Sequence, residues 1–227
     1  MSRPSLPEDL QLIMYDLDGT LVESVPDLAI AIDNMLEDLN LPKAGEGKVR
    51  LWVGNGIPSL VRRALADDMQ GDLPGIVDQE TFDRAYDRFR YHYSNEVGLH
   101  SSLYPGVLEF LEEMAGKGIK QTVVTNKSEL FTEKLLKMMN IDHFFQLSLG
   151  GDSLAEKKPH PMPLLHAMRH FGVSKSQSLM IGDSSNDIKA ARAAEVMVVG
   201  LPYGYNHGEP IESANPDLVV PDLSHLM

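Results

Sequence analysis

The chain has 227 residues, 43% of them hydrophobic and 23% charged, ordinary values for a soluble globular protein with one large domain or a domain carrying an insert. A net charge of −13 argues against general nucleic-acid binding, which needs a basic face, and the lack of cysteine rules out disulfides, thiolate chemistry and cysteine-bound zinc. No apolar run approaches the roughly 20 residues of a membrane helix, and the opening MSRPSLPEDLQL lacks the apolar core of a signal peptide, so a cytoplasmic protein is expected.

Leu12, Ile13, Met14 and Tyr15 form a short apolar run, the pattern of a strand buried on both faces. Asp16 ends the run, Asp18 follows two residues later, and Gly19-Thr20 turns the chain away. Carboxylates at i and i+2 leave a strand end on the same side, and Gly19 lets the backbone come close to whatever sits there. Ser24 is the expected N-cap of a helix carrying Val25, Leu28, Ala29, Ile32, Leu36 and Leu39 at helical spacing. Pro42 and the stretch 45–47, with two glycines, break that pattern. Ile57, Leu60, Val61, Ala64 and Leu65 mark a second helical face, and Phe82, Ala85, Tyr86, Phe89 and Tyr93 a third. The spacing predicts no strand from residue 25 to residue 97.

Beyond residue 103 the texture changes. Strands are predicted at 119–125, 144–149, 179–183 and 197–199, with a last edge strand at 218–220, and helices at 107–117, 128–139, 162–171 and 185–194. Strands alternating with helices predict a parallel sheet covered on both faces. The expected fold is an α/β, doubly wound, Rossmann-like core formed by residues 1–24 and 98–227, interrupted by an all-helical insert at 25–97.

Ligands of open parallel sheets bind beyond the carboxyl ends of the strands. Those ends carry Asp16 and Asp18; Thr125, Asn126 and Lys127; and Gly182-Asp183 followed by Asp187, while Lys158-Pro159 leads into a helix starting at the same edge. Clustered acids without sulfur or imidazole suggest Mg²⁺. Asp16 and Asp183 are its expected side-chain ligands, with the Asp18 carbonyl as a third and Asp187 behind them. Thr125 and Lys158 can then hold phosphate oxygens, with Gly19, Thr20 and Asn126 beside them on the same rim. Asp16 is the candidate nucleophile and Asp18 the candidate proton donor and acceptor.

These pieces resemble the haloacid dehalogenase-like superfamily over nearly the whole chain. Its D-x-D-G-T motif stands here as Asp16-Leu17-Asp18-Gly19-Thr20, its Ser/Thr as Thr125, its lysine as Lys158 and its G-D-x-x-x-D as Gly182-Asp183 through Asp187. The resemblance implies Mg²⁺-dependent phosphoryl transfer through an aspartyl-phosphate on Asp16, beneath a helical cap at 25–97. The dehalogenase branch lacks the second Asp, so Asp18 favours phosphoryl chemistry. Trp52-Val53-Gly54-Asn55-Gly56 and the run from Gly204 to Ile211 are most similar to bacterial phosphoglycolate phosphatases. That implies 2-phosphoglycolate as substrate, with Gly54, Asn55 and Gly56 offering backbone N–H groups to its carboxylate. Alternatives are a sugar-phosphate phosphatase, a β-phosphoglucomutase-like phosphotransferase and, from a different class, a receiver-like phospho-aspartate switch. Receivers are little more than half this length and have no helical insert. The only partner expected is a small phosphate ester, for a monomer or homodimer.

Other residues carry plainer readings. His166 and His170 lie four apart on one helix but lack a third placed ligand for zinc. Arg62-Arg63 reads as a solvated helix face, the Tyr86, Phe89, Tyr93 stripe as packing inside the insert, and twelve methionines as core filler.

Overall fold

A computed structural model of the chain describes residues 6–227; residues 1–5, at the start of the predicted core, lie outside the described residues. Six parallel strands form the main sheet: β1 (Leu12–Tyr15), β4 (Lys120–Val124), β5 (Leu147–Leu149), β6 (Ser178–Gly182), β7 (Met197–Gly200) and β8 (Leu218–Val219). Their order is β5-β4-β1-β6-β7-β8, so β1 lies inside the sheet with β4 and β6 as neighbours. Its side chains alternate between two cores, as strand geometry requires. Ile13 and Tyr15 pack with α5 (Val107–Gly116) and α6 (Glu129–Met138), whereas Leu12 and Met14 pack with α7 (Met162–Phe171) and α8 (Ser185–Ala194). Helices on both faces make the expected doubly wound α/β core.

Between β1 and β4 the chain builds a two-stranded antiparallel ribbon, β2 (Val22–Glu23) with β3 (Ser102–Leu103), neither strand legible from a pattern of two residues. From the ribbon leave α1 (Val25–Asp38), α2 (Gly45–Trp52), α3 (Ile57–Ala66) and α4 (Gln79–Glu96). Val25, Ile32, Leu36, Val49, Leu60, Val61, Phe82 and Phe89 bury the apolar faces of these helices in one cluster. Helix α2 corrects the sequence reading, which took its glycines as breakers. Asp33 of α1 explains it: its Oδ1 accepts from the Ala44 and Gly45 N–H groups at 2.8 and 3.0 Å, satisfying donors at the helix start. Among the described residues no helix is long and apolar enough to cross a membrane.

Candidate active site

Strand β1 delivers Asp16, β4 delivers Thr125 and β6 delivers Asp183, all at the carboxyl edge of the sheet. Gly19 turns between the strand end and the ribbon at φ +85°, and a Cβ there would collide with the Asp183 carboxylate and the Tyr205 ring. The freed space lets Thr20 Oγ1 donate to Asp183 Oδ1 at 2.6 Å, while the Tyr205 N–H donates to Oδ2 at 2.5 Å. Lys158 lies 3.1 Å from Asp16 Oδ2 and 2.6 Å from Asp187 Oδ1. The other Asp187 oxygen accepts from the Ser184 N–H and hydroxyl at 3.0 and 2.7 Å, closing a capping box on α8. Asp187 is thus both a helix-start acid and the carrier of the lysine.

Asp16, Asp183 and Asp187 are buried, and one oxygen of each lies within 4.8 Å of the others. Burial lifts the Asp16 carboxyl to about 6, with Lys158 pulling it down and Asp187 pushing it up. Burial, then Asp16 and Asp187, hold Asp183 well above the usual carboxylate range. Burial works against the Lys158 ammonium too, but Asp16 and Asp187 outweigh it and raise its pKa. One ammonium therefore faces three crowded carboxylates. Oxygen-only donors with an excess of negative charge fit a hard divalent cation. Among the described residues no other group of three such side chains is close enough to share an ion, and His166 and His170 have no part in this one.

Asp18 is held differently. Its Oδ1 accepts from the Ser24 hydroxyl at 2.6 Å, so Ser24 spends its side chain there and makes no helix cap. Lys127 Nζ reaches both Asp18 oxygens at 3.0 and 3.1 Å and donates to the Tyr93 hydroxyl at 2.6 Å. Tyr93 still packs in its helix, stacked on Phe89, but its hydroxyl leaves the stripe to meet the core. Burial disfavours the Lys127 charge, yet Asp18 and Tyr93 outweigh it and lift its pKa above the ordinary value. The sequence places Lys127 at a strand end and Tyr93 in a packing stripe but gives neither a part in the site, because each owes it to a partner more than thirty residues away.

Asp16, Asp18 and Thr125 open on a cavity of about 30 Å³, whose opposite wall is Leu28, Val53 and Ile57. The segment from Val53 to Gly56 forms part of that wall and is gripped from behind. Asn126 Nδ2 donates to the Gly54 carbonyl at 3.2 Å and to the Lys158 carbonyl at 3.0 Å. Asn186 Nδ2 reaches the Gly54 carbonyl at 3.3 Å, and Lys157 Nζ the Asn55 carbonyl at 2.8 Å. His207 Nδ1–H donates to the Leu51 carbonyl at 2.8 Å. Among the described residues the N–H groups of Gly54 and Gly56 donate to nothing within the chain. Among the described residues Asn126 Oδ1 is buried without a partner, its orientation fixed by the two carbonyls its amide nitrogen serves.

Two basic side chains depart from expectation. Arg63 is buried, donating to the Trp52 and Met69 carbonyls and pairing with Asp72 at 2.9 Å, so it ties the helical segment together. Arg62 lies over the Phe82 ring, 3.4 Å from its centroid.

Comparison with known proteins agrees with this layout. A phosphoglycolate phosphatase of Nitrosococcus oceani is 47% identical over 213 residues, covering 94% of this chain and 93% of that protein. One from Pseudomonas syringae pv. tomato is 48% identical over 96% of this chain and 78% of its own length. A crystal structure described as a predicted phosphoglycolate phosphatase from Haemophilus somnus superposes with a TM-score of 0.88 at 42% identity, covering 95% of this chain and 96% of that one. Residues 13–201 match the family of haloacid dehalogenase-like hydrolases. Matching over most of its length, with the acids and the lysine of the family motifs gathered at one sheet edge, the chain belongs to the haloacid dehalogenase-like hydrolases.

Proposed function

We propose that the protein is a Mg²⁺-dependent phosphatase that hydrolyses 2-phosphoglycolate to glycolate and phosphate. The observation that carries the reading is the cavity itself: catalytic acids on one wall, apolar side chains with Gly54 and Gly56 on the other, and little volume between. Asp16 and Asp183 would hold the ion, with the Asp18 carbonyl, and Asp187 would act behind them through Lys158. When bound, the ion supplies charge neutralisation between the acids and an incoming phosphate. Lys158 keeps Asp16 ionised, and an Asp16 oxygen attacks phosphorus while the bond to the glycolate oxygen breaks. Asp18 gives that oxygen its proton. Asp18 then takes a proton from the water that attacks the aspartyl-phosphate, which releases phosphate and frees Asp16. Thr125 holds a phosphate oxygen and Lys158 acts from beneath through Asp16, with Gly19 and Thr20 shaping the turn. Asn126 braces the Gly54 carbonyl.

Residues 25–97 act in this reading as a cap over a core of 1–24 and 98–227. Specificity comes from the cap, because a phosphate-binding rim alone does not choose a leaving group. The relatives named phosphoglycolate phosphatase support the substrate, as do the N–H groups of Gly54 and Gly56 and the start of α3, which favour an anion. A phosphate-release assay tests the proposal with 2-phosphoglycolate, ethyl phosphate and β-glucose 1-phosphate, each with Mg²⁺ and with excess chelator. The expected result is a far higher kcat/KM for 2-phosphoglycolate, lost in chelator. A sugar phosphate as the better substrate refutes the substrate, and full activity in chelator refutes the metal.

A further inference from the structure

The cavity wall holds one basic side chain, Lys127; Lys158 lies beneath the acids and does not line it. The other cations near the helical segment are committed elsewhere. Arg63 serves two carbonyls and Asp72, Arg50 serves Glu23 and Glu46, and Lys157 serves the Asn55 carbonyl. An ammonium has three hydrogens in three directions. Lys127 Nζ spends its hydrogens on the Tyr93 hydroxyl at 2.6 Å and on both oxygens of Asp18 at 3.0 and 3.1 Å, so turning one of the two longer contacts to a second carboxylate still leaves Asp18 held by the other. The group is 4% exposed, and the rest of that wall is largely apolar, so an anion entering here meets little competition from water.

We propose that Lys127 is a specificity-determining residue whose ammonium receives the carboxylate of the substrate while it holds Asp18. The assignment rests on the phosphoglycolate reading and adds to it a named side chain. It gives the carboxylate a full charge at one end of the cavity, where the N–H groups of Gly54 and Gly56 supply only dipoles. It also places the recognised group and the proton donor on one nitrogen. Tyr93, reaching over from α4, sets the direction of the ammonium and is a positioning residue.

The test compares kcat/KM for 2-phosphoglycolate with that for ethyl phosphate, which keeps the alkyl ester and lacks the carboxylate. The proteins are the wild type, Lys127→Met, and Lys127→Met combined with Tyr93→Phe. The double variant replaces ammonium and phenol together, leaving neither without its partner, and carries the test where the single variant does not fold, as thermal melting would show. Losing a charge-assisted hydrogen bond should cut the preference for 2-phosphoglycolate about 10- to 100-fold. Both substrates need a protonated leaving group, so a disturbance of Asp18 alone lowers the two rates together and leaves the ratio intact. A ratio that falls less than tenfold in the folded variants overturns the assignment and leaves the substrate reading standing. A wild type without preference for 2-phosphoglycolate overturns both.

Discussion

Asp16 and Asp18 leave the same strand end two residues apart, and their neighbours give them different tasks. Asp16 sits against Lys158 and among buried acids, with one oxygen anchored by the Leu17 N–H at 2.7 Å. Asp18 sits at the cavity between Ser24 and Lys127, away from that cluster. The separation suits a nucleophile and a proton carrier, two roles that one carboxylate cannot fill at once. If Asp18 protonates the leaving oxygen, Asp18→Asn should lower kcat on ethyl phosphate about 10²- to 10⁴-fold. The first-turnover burst of p-nitrophenol from p-nitrophenyl phosphate should fall much less, since that leaving group departs without a proton and before water is activated; an equal loss in the burst would refute leaving-group protonation. These two acids were legible in the sequence because the spacing of a strand end dictates their geometry. Lys127, Tyr93 and the diversion of Ser24 were not, because nothing local distinguishes a lysine that meets a carboxylate 109 residues away.

At the scale of elements, the segment joining α2 to α3 decides how the helices sit on the sheet. Three donors from separate segments hold it, Asn126, Lys157 and Asn186, while His207 holds the Leu51 carbonyl at the end of α2. The expectation that its glycines free N–H groups toward a ligand is compatible with that grip, which uses the carbonyls instead. The sequence revealed the helices with long apolar stripes and missed α2, whose Gly-bearing start depends on Asp33 of another helix. Gly56 stands at φ +88°, and a Cβ there would sit 3.0 Å from the Asn126 carbonyl oxygen and 3.3 Å from Lys157 Nζ. Gly56→Val should therefore destabilise the protein by about 1–3 kcal/mol through backbone strain. Its preference for 2-phosphoglycolate over p-nitrophenyl phosphate should also drop, because the segment shifts while the phosphoryl-binding edge stays. Kinetics on both esters, beside a melting curve, check this; an unchanged ratio would remove the segment from substrate recognition.

The whole molecule carries a charge of −13, and it gathers three buried carboxylates at one point of the sheet edge against a single ammonium. The alternation of strands and helices made the doubly wound sheet readable from sequence, since each element shows its own period. What pattern does not show is which charges fold to one point, because that depends on strand order in space. Crowding of this kind costs stability when no cation is present, and the cost falls most on Asp183, 2% exposed and pushed well above the usual carboxylate range. Asp183→Asn removes a charge and keeps the shape. Its amide oxygen can still accept from the Tyr205 N–H, and its amide nitrogen can donate to the Thr20 hydroxyl, which turns from donor to acceptor. In chelator the variant should melt at or above the wild type, by about 2–4 °C for each kcal/mol of repulsion relieved in a chain of this size. Mg²⁺ at 100 times its Kd should stabilise the wild type by about 2.7 kcal/mol, and the variant by less than a third of that, with phosphatase activity lost. The measurement is a pair of melting curves, with chelator and with Mg²⁺. A variant that melts well below the wild type in chelator refutes the repulsion argument, and one that keeps the full Mg²⁺ shift removes Asp183 from the metal site.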